Sequence, residues 1–371
     1  MLKNKKTWVV LFCGLFIILI SGCTSTTNGD NQDEIELQVV TVLNSQHSIW
    51  EGTMEPWMEK VEDLTDNRVT FETFTSEELV DVDEEVSALK NGTADIAIIH
   101  PTYYPDQFPL MEVPMLPLTD GDVETASQAW RDMLDSDEEI DNGKTFYELQ
   151  VDDNDLFALP LTTTWEYSLS TTGQEFNTVD DIEGLSVRSP SSIHEIIGRE
   201  LGLNTTSIAG SEVYEALSRG TVDGTFNGVA DWSGWNYQDV LRYTLTGIDF
   251  GYFPFMIGMS KERWNELPED IQNAMIEAHD EVYEEGIQEW FARVDPIIED
   301  NEEQGGKFEN FEDLNPEVQE KLEEATKEGW IEYTKKLEED GEPGKKVVKL
   351  WLELIKKHGG KVPEGVTEEL E

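Results

Sequence analysis

The stretch from residue 182 to residue 228 constrains the fold more than any other. Leu185-Ser186-Val187 is a short apolar run suited to a buried strand, and Ser189-Pro190 ends it, because proline cannot donate to a sheet ladder. Ser191 and Ser192 can cap a helix from Ile193 to Leu201, whose apolar residues recur at helical spacing and which stops at Gly202. A second helix, Glu212 to Arg219, is expected to be capped by Ser211 and closed by Gly220, after which Asp223 to Asn227 returns as a strand. Strand, helix, strand, helix, strand is the repeating unit of an open α/β sheet, and such sheets bind ligands beyond the carboxyl ends of their strands.

Arg188 falls at such a strand end just before a helix start, and Asn227 sits at the end of the next long strand. A guanidinium offers a planar donor fork matched to a carboxylate, and an Asn amide adds a neutral donor and acceptor. Both residues are therefore candidate ligand contacts. The plain alternative is that Arg188 pairs with one of the chain's many acids.

The amino-terminal half shows the same alternation. Glu36 to Leu43 reads as a strand, Ile49 to Leu64 as a helix with Trp50, Met54, Trp57, Met58 and Val61 at helical spacing, and Val69 to Phe74 as a second strand. Glu77 to Asn91 is expected to be helical and Asp95 to Ile99 a third strand. The loop from Asn44 to His47 and the segment from His100 through Tyr103 to Tyr104 should then share one edge. Asn44, His47, His100 and Tyr103 become candidate contacts by that position, although a lone histidine is by default a polar loop residue.

Three motifs resemble those of DctP-type solute-binding proteins of TRAP (tripartite ATP-independent periplasmic) transporters. Gly184-Leu185-x-Val187-Arg188, then Glu212-Val213-Tyr214-x-Ala216-Leu217-x-x-Gly220-x-Val222-Asp223-Gly224, then Asn227 resembles the family signature. Leu89-Lys90-Asn91-Gly92-Thr93-Ala94-Asp95-Ile96 resembles a first-lobe segment, and Trp264-Asn265-Glu266-Leu267-Pro268 a later helix start. The resemblance implies a two-lobe, periplasmic-binding-protein-like α/β fold with a hinge, open mixed sheets flanked by helices, and long C-terminal helices. On that pattern residues 36–160 form lobe 1, completed by about 250–292, and residues 161–249 form lobe 2, completed by about 293–371. The implied function is capture of a small organic acid between the lobes and its delivery to a TRAP-type membrane permease, without a cofactor and as a monomer.

The chain also departs from a better-known pattern. Dicarboxylate- and sialic-acid-type members often carry a second Arg where Ser168 stands, and an aromatic where Gly210 stands. On a strand, Glu166 and Ser168 share a face. If that face is the cleft, a positive charge is lost and a negative one gained, which favours a monocarboxylate, a hydroxy acid, or a zwitterion whose ammonium meets Glu166. The alternative is a Glu166 paired elsewhere at the hinge. Trp232, Trp235 and Tyr237 fall on an expected helix from Ala230 to Tyr237, and one of them, with Trp232 put first, is a candidate ligand platform, although Trp at helical spacing is usually core.

Charge narrows the class of partner. Seventy-nine acidic residues against 26 basic ones give a formal net charge of −53, a poor match for nucleic acid or an anionic membrane surface. With 11 Trp, 15 Phe and 10 Tyr the chain has too much apolar material for disorder, so it reads as a folded protein adapted to brine. The acid runs Asp135–Gly143 and Asp152–Asp155 lack the alternating ligands, central Gly and terminal Glu of a calcium loop, and no metal is expected there.

At the amino terminus Lys3, Lys5 and Lys6 precede an apolar run from Trp8 to Ile20, which reads as a signal peptide over residues 1–22. Ile20-Ser21-Gly22-Cys23 resembles a bacterial lipobox, implying cleavage before Cys23, lipid on that thiol and an anchor at the outer face of the cell membrane. An ordinary signal peptide with an incidental Cys is the alternative. Residues 23–35 would be a flexible tether. Near the other end, Lys345, Lys346, Lys349, Lys356, Lys357 and Lys361 flank Val347, Leu350, Trp351, Leu354 and Ile355, an amphipathic helix that either packs on a lobe or meets a membrane.

Catalysis is the competing reading, as a lyase or hydrolase acting on a carboxylate substrate. No His-Glu-x-x-His, phosphate-cradling Gly-rich loop or Gly-x-Ser-x-Gly occurs, and His194-Glu195 lacks a second His. The residues favour a binding protein, not an enzyme.

Overall fold

Two mixed β-sheets carry the described residues, 34–370, of this computed structural model. The expected signal peptide, the Cys23 lipid site and nearly all of the tether lie outside the described residues. In chain order the strands are β1 (Ile35–Val40), β2 (Val69–Phe74), β3 (Ile96–Ile99), β4 (Leu156–Pro160), β5 (Tyr167–Thr171) and β6 (Ser186–Ser189). They continue with β7 (Asn204–Ser207), β8 (Gly224–Gly228), β9 (Tyr243–Thr246), β10 (Met256–Ser260) and β11 (Lys307–Asn310).

The first sheet runs β2-β1-β3-β10-β4. β1, β2 and β3 are parallel, as a βαβαβ unit requires, and β10 enters antiparallel between β3 and β4. β3 is apolar and buried at every position, the pattern of a strand covered on both faces. The second sheet runs β11-β9-β5-β8-β6-β7, with β7, β6 and β8 parallel and β5 antiparallel to both β8 and β9. β10 thus returns to the first lobe as the family pattern implies.

Local chemistry explains several helix ends. Ser191 caps the Ser192–Leu201 helix by accepting from the His194 amide, and Gly202 closes it at φ 78°. The next helix begins earlier than expected, at Gly210, and Ser211 does not cap it: its hydroxyl donates instead to Glu77 of the first lobe at 3.0 Å. The helix expected over Glu77–Asn91 shortens to Glu85–Asn91. Ser76 and Glu77 take left-handed φ values of 58° and 62°, and a turn at Asp81–Glu84 resets the chain before the helix starts.

Segments 161–166 and 247–255 cross between the sheets side by side. Thr164 N–H donates to Phe253 C=O at 3.0 Å, Phe253 N–H to the Thr164 hydroxyl at 2.9 Å, and Tyr167 N–H to Gly251 C=O at 2.8 Å. Gly251 has φ 95°, and a Cβ there would stand 2.2 Å from the Met115 carbonyl oxygen, so only glycine fits. Beside the crossings runs the Glu269–Glu303 helix, which at about 1.5 Å per residue spans roughly 50 Å. It packs on the Glu55–Leu64 helix of the first lobe early in its length and on residues 229–231 of the second later.

The tail corrects one expected boundary. The Pro316–Asp340 helix packs on Ser192–Leu201 in the second lobe, but the Gly344–Lys357 helix returns to Val123–Leu134 in the first. Residues 293–371 therefore do not all complete lobe 2. Val347, Leu350, Trp351 and Ile355 are buried in that contact, and Lys357 and His358 both reach Asp132 at 2.6 Å. The apolar stripe serves packing rather than a membrane surface.

Candidate functional site

Where the carboxyl ends of β1 and β3 face those of β6 and β8, the lobes form a small, partly open cavity. Its lining includes Arg188, Asn227, His47, His100, Tyr103, Gly210 and Trp235, all named by the sequence, together with Tyr167, Asp231, Phe253 and Phe255, which sequence reasoning missed.

Arg188 is 1% exposed. Its Nε donates to Ile208 C=O at 2.9 Å, Nη1 to Phe226 C=O at 3.1 Å and Nη2 to the Tyr103 hydroxyl at 3.1 Å. These oxygens are neutral, so backbone and phenol dipoles position the charge, and among the described residues no acid forms an ion pair with it. Burial opposes that charge, but the oxygens of Tyr103, Tyr167 and Tyr237 more than offset it and hold the guanidinium above its ordinary range. The site is a buried, pre-oriented cation facing a small cavity, which is what a carboxylate needs.

The first lobe supplies the opposite wall. Tyr103 stacks on His100, ring centroids 5.7 Å apart and planes 3° from parallel, and its hydroxyl also accepts from Gly210 N–H at 3.2 Å. His100 Nδ1 lies 2.9 Å from Glu85 Oε1, and Glu85 also accepts from the His100 backbone amide at 3.3 Å. Burial raises the Glu85 pKa against the pull of His100. His47 Nδ1 accepts from Ile49 N–H at 3.2 Å, which leaves the ring proton on Nε2, 3.5 Å from Asp231 Oδ1. Burial, aided by His100, holds the His47 pKa near 3, so the ring is neutral. Burial likewise pushes Asp231 up to about 8.

Three expectations fall elsewhere. Asn44 does not line the cavity; its amide donates across the lobes to Gly234 C=O while its Oδ1 accepts from Gln46 N–H at 2.9 Å. Trp232 is fully buried with its ring 5.8 Å from Phe308, in the second lobe's apolar cluster, and Trp235 takes the cavity position, 5.3 Å from His47. Trp235 also lies 3.5 Å from where a Cβ on Gly210 would sit, so an aromatic reaches this wall from another element. Glu166 and Ser168 do share surroundings, but not those of Arg188. Tyr167, between them, takes the cleft side, and alternation turns its neighbours into a second cavity of about 490 Å³ that also holds Asp249. There burial, reinforced by Asp249, raises Glu166 to about 8, and burial raises Asp249 to about 7.

The Ser191 hydroxyl and His194 Nδ1 are 2.7 Å apart, but both are buried: Ser191 caps a helix and the His194 ring packs against Phe226 and Tyr167. This pair is structural.

Comparison with known proteins follows the same lines. A family model described as DctP, bacterial extracellular solute-binding protein family 7, matches residues 39–337. A solute-binding protein of Chromohalobacter salexigens is 27% identical over 244 residues, covering 63% of this chain and 69% of that one. A TRAP solute-binding protein of an unidentified marine microbe, specific for aromatic acids and solved with metahydroxyphenylacetate, superposes with a TM-score of 0.78 at 19% identity, covering 88% of this chain and 100% of that one. A second marine metagenome TRAP protein, solved with pyroglutamate, gives 0.72 at 17% identity over 86% and 99%. At these identities the structures show the shared two-lobe fold.

Proposed function

Because the chain belongs to the DctP family of bacterial extracellular solute-binding proteins, we propose that it captures a small monocarboxylate between its lobes and hands it to a TRAP-type permease. The family is one of transport proteins rather than catalysts, which removes the lyase or hydrolase reading. The observation that carries the ligand class is Arg188, buried at the lobe interface with only neutral partners. One guanidinium accepts one carboxylate in bidentate fashion. Nothing cationic stands at Ser168, and the further acidic group in the lining is Asp231. A second carboxylate has no seat. Metahydroxyphenylacetate and pyroglutamate, bound by the two similar proteins, carry one carboxylate each.

Closure completes the site. Tyr103, His100 and His47 come from one lobe, Arg188, Asn227 and Asp231 from the other, and cross-lobe bonds from Ser48 to Ala230 C=O at 3.2 Å and from Ser192 N–H to Glu112 at 3.1 Å hold the faces together. On the same reading residues 1–22 are removed and Cys23 carries the lipid that keeps the protein near its permease. Calorimetric titration of the purified chain with mono- and dicarboxylates in high salt tests the ligand class: binding of a monocarboxylate that Arg188→Ala strongly weakens is expected. Unchanged binding in that variant would overturn the site.

A further inference from the structure

The cleft holds more unmet hydrogen-bonding capacity than a carboxylate uses. Asn227 Oδ1, Asp231 Oδ1 and His100 Nε2 are buried atoms with no hydrogen-bond partner among the described residues, His47 Nε2 standing off from Asp231 Oδ1 at 3.5 Å, and all three side chains line the cavity that holds Arg188. Asp231 is 2% exposed and Asn227 4%. Buried polar atoms are nearly always paired in folded proteins, and a cluster sharing one binding cavity points to groups supplied by the ligand.

Their chemistry is uniform. Asn227 Oδ1 only accepts. An Asp oxygen accepts whether the group is ionised or protonated. With its proton on Nδ1, toward Glu85, the His100 ring would accept at Nε2 as well. Arg188, by contrast, only donates. A molecule complementary to both has a carboxylate at one end and an N–H or O–H group at the other. The apolar wall of Trp235, Phe253 and Phe255 fits whatever carbon skeleton joins them.

We propose that Asp231, with Asn227, is the specificity-determining point of the cleft, taking an N–H or O–H group of a carboxylate held by Arg188. This rests on the carrier reading above. It moves the donor-reading role from Glu166, which faces the second cavity, to a residue four positions after Asn227. Once Asp231 is ionised the same point disfavours a dicarboxylate, whose second anionic end would meet the Asp231 carboxylate.

The test is titration calorimetry on the purified chain with propionate, lactate, alanine and succinate. Propionate lacks the donor, lactate offers a hydroxyl, alanine an ammonium and succinate a second carboxylate. The wild type should bind lactate or alanine at least about tenfold more tightly than propionate, and succinate least well. Asp231→Leu should erase that preference, so that lactate and alanine bind no more tightly than propionate. Asp231→Asn, which keeps the shape and an acceptor oxygen, should retain a preference for lactate and lose one for alanine; it carries the test if the Leu variant fails to melt cooperatively. An undiminished preference in a folded Asp231→Leu variant, or succinate binding as tightly as lactate, overturns the proposal. If none of the acids binds the wild type, the carrier reading itself falls, and this one with it.

Discussion

The hydroxyl of Tyr103 lies 3.1 Å from Nη2 of Arg188, so a side chain of one lobe rests on the guanidinium of the other. The contact couples two functions: Tyr103 orients the cation and also latches the closed form. Hydrogen bonds to charged groups are worth about 1.5–3 kcal/mol. Tyr103→Phe keeps the stacking on His100 and removes the latch. Ligand affinity should fall by about 1.5–3 kcal/mol, with the loss mainly in a faster off-rate seen by stopped-flow fluorescence.

Arg188 tests the site more severely. Truncating one partner of a buried charge pair costs about 2–5 kcal/mol, so Arg188→Ala should weaken binding by that amount. Arg188→Lys should rescue little, because an ammonium cannot reproduce donation to Ile208, Phe226 and Tyr103 from one planar group. Equilibrium titration of both variants decides the point; full rescue by Lys would show that charge alone matters.

Gly251 probes the crossing. Any side chain there must leave the left-handed region and also escape the Met115 carbonyl, 2.2 Å from the required Cβ. Gly251→Ala should cost more than the roughly 1–3 kcal/mol of a strained backbone alone. Differential scanning calorimetry should show a clear drop in Tm even without ligand.

The second cavity predicts a pH effect. Glu166, raised to about 8 and Asp249, raised to about 7, are protonated in the fold at pH values where the unfolded chain has lost those protons. A raised acid contributes stability at low pH that is lost as pH climbs from the unfolded value through the folded one. Glu166→Gln, neutral throughout, should therefore gain stability relative to wild type between about pH 5 and pH 8 and level off above it. Urea melts across that range check the sign.

With a net charge of −53, like-charge repulsion opposes compaction in dilute buffer. At about 1 M salt the screening length falls to ~3 Å, and Tm should rise steeply between low and molar NaCl. A flat salt response would remove the brine reading.

The sequence by itself determined the alternation of strands and helices, and with it the strand ends that carry Arg188, Asn227, His47 and His100. Those placements follow from local rules: apolar runs make strands, Pro190 and Ser191 end one element and start the next, and parallel strands present their carboxyl ends on one edge. Tertiary structure alone decided which neighbour faces the cleft. Tyr167 rather than Glu166, Trp235 rather than Trp232, and Phe253 with Phe255 from the crossing all reach it through contacts between segments far apart in the chain. Such contacts leave no local periodicity to read, because a one-residue change of register turns every side chain of a strand to its other face.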